Sequence, residues 1–492
     1  MIPKHILSKS TFIKGTQCNK ALYLYKHNRD LRDELTAAQE AIFAQGTSVG
    51  ELACELFPGG VDCTPESYFD FQAAVIRTQE EIEKGTKIIY EAAFQFNGVL
   101  AALDILVKHE DGWRAYEVKS STSVSETHEL DATIQYYTIT NSGIDLKDIS
   151  IVHINNQYVK NGPIDVNELF AIESVKEQVL NLLPGIPNQV NLLKKVLKQP
   201  EAPKVEIGPH CSSPYLCDFA GHCWKHVPDY SIFNIARLRA DKKFELYDNN
   251  ILHLKDIPEE FPLNDNQWMQ VQSEVRNETF IDKKAIRSFV QDLNYPIYHL
   301  DFETFTSAVP IFDGSRPYQQ LVFQYSLHIE HKDGKIEHKE FLAETNGEDP
   351  RIQFIEELIK DCGDRGDVLV YNIGFERGKL FDLIEFSPQH KQPILKIIDR
   401  LKDLMVPFRE RWYYTPQMQG SYSIKKVLPA LVPELSYQDL NIQEGGTASN
   451  TFTTILQGEF KGDVVQIRKD LLAYCELDTL AMVRILGRLR EV

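Results

Sequence analysis

The sequence has no hydrophobic run that approaches the ~20 apolar residues of a membrane-spanning helix. The opening stretch, MIPKHILSKSTFIKG, also lacks the apolar segment of a secretion signal. We therefore expect a cytoplasmic protein. Internal repeats and low-complexity tracts are absent from the sequence as well, which excludes a solenoid architecture.

Basic residues are in the minority, with 53 Lys and Arg against 71 Asp and Glu and a net charge of −18. This balance argues against a protein that coats nucleic acid passively, because such binding depends on Lys and Arg that neutralise phosphates. It is compatible with a metal-dependent enzyme that acts on nucleic acid. Carboxylates that hold divalent cations count as negative, whereas the bound ions present positive charge to a phosphate.

Cysteine is also scarce, with eight in 492 residues. In a reducing cytosol these thiols are not expected to form disulfides, so clustered cysteines are better interpreted as metal ligands. Three lie at even spacing in HCSSPYLCDFAGHCW and a fourth lies far upstream in TFIKGTQCNK; they are Cys211, Cys217, Cys223 and Cys18. Four thiolates are the ligand set of a [4Fe-4S] cluster.

Zinc is the alternative metal for this cysteine group, supported by His210, His222 and His226. Structural zinc sites usually contain cysteine pairs two to four residues apart, whereas five residues separate neighbours here. The spacing therefore favours iron-sulfur. The remaining cysteines have no partner by spacing and are interpreted as packing residues: Cys54, Cys63, Cys362 and Cys475.

The length predicts two to four domains, since a domain usually has about 100 to 200 residues. Strand-like stretches alternate with helical ones, which favours α/β folds. We predict a first domain over residues 1–226, a helical connector over 227–290 and a second α/β domain over 291–492.

The first group of candidate catalytic residues lies in two neighbouring strands. Asp104 lies late in the apolar strand GVLAALDILVK. Glu117 and Lys119 stand two apart in WRAYEVKSS, so both face one side of a strand. A carboxylate pair can hold Mg²⁺ while a lysine orients or helps to deprotonate water. The alternative is a surface hairpin with a Glu/Lys ion pair, and Gln135 on the helix that follows argues against it.

Together these residues resemble the RecB-like branch of the PD-(D/E)xK nucleases, which have a restriction-endonuclease fold. The resemblance implies that Asp104 and Glu117 bind metal, that Lys119 is catalytic, and that Gln135 and Tyr137 belong to a supporting helix. Glu91 is a candidate for an additional acidic member. The four cysteines similarly resemble the iron-sulfur staple of CRISPR-associated and AddB-type nucleases, which clamps the two ends of the domain together.

One feature departs from that pattern. RecB-like exonucleases commonly carry a metal-binding His in a helix after a Gly, whereas QGTSVGELA has Gly46, Gly50 and then Glu51. Either Glu51 compensates for the missing His or the site binds its metal more weakly.

The second group of candidate residues lies towards the other end of the chain. Asp301 and Glu303 stand two apart in HLDFETF and so share one face of a strand. Tyr474 and Asp478 are four apart in YCELD and share one face of a helix. Between them, YNIGFERG follows the apolar run DVLV and supplies Glu376.

This order and spacing resemble the DnaQ-like, RNase H-fold exonucleases of the DEDDy type. The resemblance implies that Asp301, Glu303 and Asp478 bind two metal ions and that Tyr474 positions the attacking water. Glu376 stands where that family has Asp in the pattern Asn-x-x-Phe-Asp. The longer side chain leaves open a version of the domain that binds nucleic acid without cutting it.

The whole chain resembles a bacterial family that fuses a RecB-like, iron-sulfur-type nuclease to a DnaQ-like exonuclease. We therefore expect a nuclease that uses Mg²⁺ or Mn²⁺ to hydrolyse phosphodiester bonds, acting on DNA with single-stranded ends in repair, recombination or defence. The alternatives are a nucleic-acid-binding or regulatory protein with one inactive nuclease fold, and an RNA-processing exonuclease. Basic residues among aromatics suit contacts with single strands: Arg316, Arg409, Lys425 and Lys426.

Overall fold

The computed structural model of the protein describes residues 6–67 and 70–492. Over these ranges the chain is mixed α/β and contains a seven-stranded, a five-stranded and a two-stranded sheet. It divides into two units: Met1–His226 with Ser307–Tyr318, and Val227–Thr306 with Gln319–Val492. None of the helices in the described ranges is both long and apolar enough to cross a membrane.

The first unit is built on the seven-stranded sheet. Its strands are β1 (Leu7–Ser8), β2 (Val61–Asp62), β3 (Ile88–Phe96), β4 (Val99–His109), β5 (Gly112–Lys119), β6 (Leu146–Ile154) and β7 (Phe170–Ser174). Its helices are α1 (Lys9–Gln17), α2 (Asn19–His27), α3 (Ala37–Ala53), α4 (Phe71–Lys84), α5 (Glu126–Asn141), α6 (Val166–Leu169), α7 (Lys176–Leu182), α8 (Ile186–Val196) and α9 (Ala220–Cys223).

The strand order is β2-β3-β4-β5-β6-β7, and β1 pairs in parallel with the start of β4. Strands β3, β4 and β5 form an antiparallel meander, whereas β5 and β6 are parallel. Parallel neighbours need a crossover connection, and α5 supplies it. Strand β4 is buried over most of its length because helices cover both faces of the sheet, as its nearly continuous apolar sequence requires.

The segment Ser307–Tyr318 packs within this first unit although the sequence around it belongs to the second. The Tyr318 hydroxyl donates a hydrogen bond to the Ser120 carbonyl, directly after β5. Lys160 forms a 2.5 Å ion pair with Asp313. The segment therefore borders the end of the strand that carries Glu117 and Lys119.

The second unit is built on the five-stranded sheet. The strands of this unit are β8 (Phe280–Ile281), β9 (Ile297–Phe305), β10 (Leu321–Glu330), β11 (Ile336–Leu342), β12 (Asp367–Val370), β13 (Leu401–Asp403) and β14 (Tyr413–Tyr414). Strands β8 and β14 form the two-stranded sheet, and the other five form the larger one. Its helices are α10 (Ala240–Asp248), α11 (Asp265–Arg276), α12 (Lys283–Gln291), α13 (Arg351–Cys362), α14 (Ile373–Phe386), α15 (Lys391–Ile398), α16 (Val406–Arg409), α17 (Ile424–Leu431), α18 (Gly445–Leu456) and α19 (Val464–Arg490).

The order of this sheet is β11-β10-β9-β12-β13. Strand β10 is antiparallel to both neighbours, whereas β9, β12 and β13 run parallel to one another. All ten residues of β10 are buried, so both faces of the sheet are covered at its centre. The long helix α19 contacts β9 and β10 along one face, and Asp463 caps its first turn.

The predicted connector, residues 227–290, lies in the second unit and contains α10, α11, most of α12 and the short strand β8. It has an apolar cluster of its own that includes Ile232, Leu246 and Val271. Strand β8 pairs antiparallel with β14, which ties the segment to the chain beyond residue 291.

Candidate metal centres

Three carboxylates meet across the meander of the first unit. Strand β3 pairs Tyr90 with Ile105 and Ala92 with Leu103, so Glu91 and Asp104 lie between these pairs. Strands β4 and β5 pair Ile105 with Tyr116, so Asp104 and Glu117 are the next residues beyond that pair. Asp104 Oδ2 accepts a 2.6 Å hydrogen bond from the Val118 backbone N–H. The structure thus brings together Asp104 and Glu117, as well as the additional acid Glu91, which has the unusual φ of 51°.

Two lysines and a fourth acid, Asp131 on α5, complete this group. Lys119 Nζ lies 2.7 Å from Glu117 Oε1 and 2.6 Å from Asp131 Oδ2. Lys9, the first residue of α1, places its Nζ 2.5 Å from the same Glu117 oxygen. Sequence reasoning missed Lys9 and Asp131; the one available signal was that Asp131 lies four residues before Gln135, on the same face of α5.

The surroundings shift the pKa values of Asp104 and Glu117 in opposite directions. Burial and the neighbouring Glu117 raise the pKa of Asp104 well above its usual range. Burial would also raise the pKa of Glu117, but Lys119 and Lys9 together hold it below its usual range. Glu117 Oε2 is buried and has no hydrogen-bond partner among the residues that the structure describes. An ionised oxygen is therefore free to bind a cation.

The two candidate residues on helix α5, Gln135 and Tyr137, have different surroundings. Gln135 is fully buried, and neither atom of its amide has a hydrogen-bond partner within the described part of the chain. Tyr137 lies about 200° further around the helix. Its hydroxyl accepts from Asn97 Nδ2 at 3.3 Å and its ring packs edge-on to Phe96. Tyr137 therefore belongs to the apolar packing, away from the face that carries Asp131.

The four candidate cluster cysteines also come together. Cys18 separates α1 from α2, Cys223 ends α9, and all four line one cavity floored by Phe219: Cys18, Cys211, Cys217 and Cys223. Burial, with smaller contributions from the neighbouring Cys18 and Cys211, raises the pKa of the Cys217 thiol to about 11. Of the other cysteines, Cys63, Cys362 and Cys475 are buried and Cys54 is half-buried.

The tightest carboxylate group lies in the second unit. Asp301 and Glu303 stand on the central strand β9 and Asp478 stands on α19, and one oxygen of each lies within 4.8 Å of the others. Burial and mutual repulsion raise the pKa of Asp301 and of Glu303 well above the usual range. Burial also raises the pKa of Asp478. Bound cations would relieve this repulsion.

Two tyrosines and one lysine surround Asp478. The Tyr437 hydroxyl donates a 2.5 Å hydrogen bond to Asp478 Oδ1. The Tyr474 ring lies 6.2 Å from the Tyr437 ring, and Lys425 Nζ lies 5.5 Å from the Tyr437 ring and 5.4 Å from the Tyr474 ring. The charge of Lys425 offsets part of the rise that burial causes in the pKa of both Glu303 and Asp478. Sequence analysis did not identify Tyr437.

The glycine that opens α18 leaves room beside these groups. A Cβ placed on Gly445 would lie 3.5 Å from Glu303 Oε2 and 3.8 Å from the Tyr474 hydroxyl. A Cβ at this position would therefore be in van der Waals contact with the carboxylate group.

Glu376 lies near the carboxylate group but is not one of its three close members. It occupies the first turn of α14, behind Asn372 with its φ of 92°. Burial, with a contribution from Asp403, raises the pKa of Glu376 to about 8. Its Oε2 is buried without a hydrogen-bond partner in the described ranges. Glu376 contributes to the raised pKa of Asp301.

The other basic candidates have varied surroundings. Arg409 pairs with Asp403 and Glu410. Lys426 donates to Gln419 Oε1, and Arg316 falls in the segment that packs with the first unit. Lys425 is thus the member of this set that lies beside the carboxylates.

Comparison with known proteins gives relatives for part of the chain. Residues 298–423 match a family described as Domain of unknown function (DUF2779), a range that includes Asp301, Glu303 and Glu376 but not Asp478. The chain is 30% identical over 230 residues to Uncharacterized protein MG366 homolog of Mycoplasma pneumoniae, which covers 42% of this chain and 34% of that protein. It is 29% identical over 236 residues to Uncharacterized protein UU173 of Ureaplasma parvum, which covers 42% and 33%.

These alignments span about one third of the length of the curated relatives.

Proposed function

We propose that the protein is a metal-dependent nuclease that hydrolyses phosphodiester bonds, with a DnaQ-like site in the second unit and a RecB-like site in the first. The observation that carries the proposal is the convergence of Asp301, Glu303 and Asp478 within 4.8 Å of one another. Oxygen-only ligand sets suit Mg²⁺ and Mn²⁺.

Topology supports the proposal for both units. The order β11-β10-β9-β12-β13, with β10 alone antiparallel, supports an RNase H-like fold for the second unit, and the carboxylates stand on β9 and on α19. In the first unit, the order α4, the meander β3-β4-β5, α5 and the parallel strand β6 supports a restriction-endonuclease-like fold. The candidate residues lie on the second and third strands of that meander.

The residues of the second site fit a pair of divalent cations. Asp301, Glu303 and Asp478 would hold them, and the buried, unpartnered oxygen of Glu376 provides a further ligand. Such ions lower the pKa of a bound water and stabilise the leaving oxygen of a phosphodiester. Burial and the neighbouring carboxylates raise the pKa of Tyr474, so its hydroxyl remains a neutral donor that can orient the water.

In the first site Asp104 and Glu117 would hold the cation. Lys119 is fixed by Glu117 and Asp131, which places one ammonium group beside the carboxylates to orient water and offset phosphate charge. Lys9 contacts the same Glu117 oxygen as Lys119 and helps to keep Glu117 ionised. The buried amide of Gln135 leaves unpaired donors and an acceptor for a water or substrate in this region.

The four cysteines support an iron-sulfur cluster as a third component. Four thiolates on one zinc ion at 2.3 Å would lie roughly 3.8 Å apart. The groups of ligand atoms found within 4.8 Å of one another in the described residues do not include these cysteines. Wider spacing suits a larger cluster, which would join Cys18 to the Cys211–Cys223 segment.

The test is cleavage of end-labelled single- and double-stranded DNA and RNA in Mn²⁺ by the full chain. We expect stepwise shortening of single-stranded 3′ ends of DNA that Asp301→Ala or Asp478→Ala abolishes. Glu356→Ala, at an exposed acid on α13, is the matched control and should cut normally.

A second candidate, a binding scaffold, is favoured by the replacement of Asp with Glu at position 376. In that case nucleic acid binds and remains uncut by the wild type. Shortening of RNA alone would instead assign the site to RNA processing.

A further inference from the structure

A second cluster of potential metal ligands lies on the same sheet as the carboxylates. His328 on β10 faces His338 on β11 in the strand register, and Glu476 projects from α19. One ligand atom from each of the three lies within 4.8 Å of the others. The two imidazole rings are stacked, with centroids 4.5 Å apart and planes inclined by 30°.

The hydrogen bonds that link His328 and His338 to Thr479 and Ser326 indicate which ring nitrogens carry hydrogen. The Thr479 hydroxyl donates to the Glu476 carbonyl oxygen at 3.1 Å, because a carbonyl can only accept. Having donated its one hydrogen, Thr479 accepts from Ser326 Oγ at 2.7 Å and from His328 Nδ1 at 2.8 Å. Ser326 has then also used its hydrogen, so it accepts from His338 Nε2 at 2.9 Å.

With this arrangement of donors, His328 carries its hydrogen on Nδ1 and His338 on Nε2. The opposite nitrogens, Nε2 of His328 and Nδ1 of His338, each keep a lone pair. The latter lies 3.9 Å from Glu476 Oε1. Metal-binding histidines usually donate their second N–H to a fixed acceptor, which sets the tautomer and the ring orientation. Ser326 and Thr479 provide those acceptors here.

The ligand atoms lie close enough together for one shared ion. One ligand atom of each residue lies within 4.8 Å of the others, and His338 Nδ1 lies 3.9 Å from Glu476 Oε1. Ring stacking alone does not require a carboxylate oxygen beside the imidazoles, whereas coordination does.

We propose that His328, His338 and Glu476 bind a divalent transition-metal ion of the zinc class, at a site separate from the Asp301, Glu303 and Asp478 group. Two imidazoles and one carboxylate suit Zn²⁺, whereas the all-oxygen group suits Mg²⁺ or Mn²⁺. Three protein ligands leave a further coordination position for water. The inference does not depend on the proposed nuclease activity.

The position of the site gives the ion a defined structural effect. His338 lies on the outer strand β11, while Glu476 lies on α19 between Tyr474 and Asp478. An ion shared by these elements would fasten the edge of the sheet to the helix that carries Asp478 of the carboxylate group. Zn²⁺ should therefore raise the melting temperature, as any ligand of the native state does.

The test measures Zn²⁺ and Mg²⁺ binding to the chelator-treated full chain by titration calorimetry and by thermal melting. His338→Gln and Glu476→Gln alter partly exposed side chains, so both variants should melt like wild type without metal. We expect each of them to lose one Zn²⁺ per chain and the associated rise in melting temperature. Three controls should keep this Zn²⁺: His109→Gln at an exposed histidine, Asp301→Asn, and Cys211→Ser.

The outcomes separate the possibilities. Wild-type Zn²⁺ stoichiometry in both His338→Gln and Glu476→Gln would overturn the proposal. Loss of the same ion in Asp301→Asn would also overturn it, because the ion would then belong to the carboxylate group. Loss in Cys211→Ser alone would assign the ion to the cysteines.

Discussion

Tyr437 donates a 2.5 Å hydrogen bond to Asp478, across 41 residues of sequence and in a buried setting. The bond holds one oxygen of a carboxylate that otherwise faces the repulsion of Asp301 and Glu303. It also lowers the pKa of Asp478 relative to the effect of burial alone. Tyr437 thus acts as a positioning residue for the candidate metal ligand.

Replacing Tyr437 by Phe should weaken cation binding at this group. A hydrogen bond to a charged group is worth ~1.5–3 kcal/mol, so we expect the Mn²⁺ dissociation constant to rise by about tenfold or more. The measurement is the Mn²⁺ dependence of the melting temperature. Tyr413→Phe, which keeps its ring packed on Phe408, is the matched control. Equal Mn²⁺ affinity in the two variants would remove Tyr437 from the site.

The metal-free protein should lose stability as the pH rises from about 5 to 8. The pKa of Glu376, about 8, is above its ordinary value of 4.5, so the folded state keeps a proton that the unfolded state has lost. Stability linked to this proton is fully present below pH 4.5 and is lost as the pH rises through 8.

Glu376→Gln should flatten this pH dependence of the melting temperature, whereas Glu356→Gln on the exposed face of α13 should not. Mn²⁺ should raise the melting temperature more at pH 8 than at pH 5, because a cation must displace the protons from its ligands. A melting temperature that is independent of pH in the metal-free protein would contradict the assignment.

Lys119→Gln should abolish cleavage by the first unit, measured in an Asp301→Ala background that silences the other site. Loss of a positioned proton-transfer group typically costs ~10²–10⁴ in rate. Because Lys119 also pairs with Glu117 and Asp131, we expect the melting temperature to fall by several degrees, and the amide limits that loss by keeping hydrogen bonds.

Lys195→Gln, at an exposed lysine of α8, is the control for this experiment. Undiminished cleavage by Lys119→Gln would show that Glu117 and Lys119 on β5 form a structural ion pair. If Lys119→Gln loses cleavage because it does not fold, Lys119→Arg is the variant to measure, since it keeps the charge and should fold.

The sequence was most informative where candidate residues lie close together on one element. Asp301 and Glu303 were placed on one strand face by period two, and Tyr474 and Asp478 on one helix face by their spacing of four. The mixed α/β organisation was likewise predicted from alternating strand-like and helical stretches, and it is confirmed at that level.

Partners that come from distant elements could not be predicted in this way. Lys9 reaches Glu117 across 108 residues, and no local pattern relates the two. The resemblance to RecB-like nucleases assigned Tyr137 with Gln135 to a supporting helix, and the helix turns the Tyr137 ring towards Phe96. The His328 and His338 pair depends on the register of β10 with β11, which only the folded sheet fixes.

Anaerobically purified protein should be brown, with absorption on the order of 400 nm from a thiolate-bound iron-sulfur cluster. Cys211→Ser should remove the colour and lower the melting temperature of the first unit, because a metal centre that forms only in the folded state adds its binding energy to stability. Cys54→Ser is the control: this half-buried thiol lies outside the cavity that the four cysteines line, and its replacement should leave iron content and colour unchanged. Iron and sulfide analysis checks the assignment. A colourless protein that contains zinc at the cysteines, lost on Cys211→Ser, would replace the cluster by a zinc site of the same four ligands. Either metal centre would join Cys18 to the distant Cys211–Cys223 segment, and the two centres differ in how far apart they hold the sulfurs.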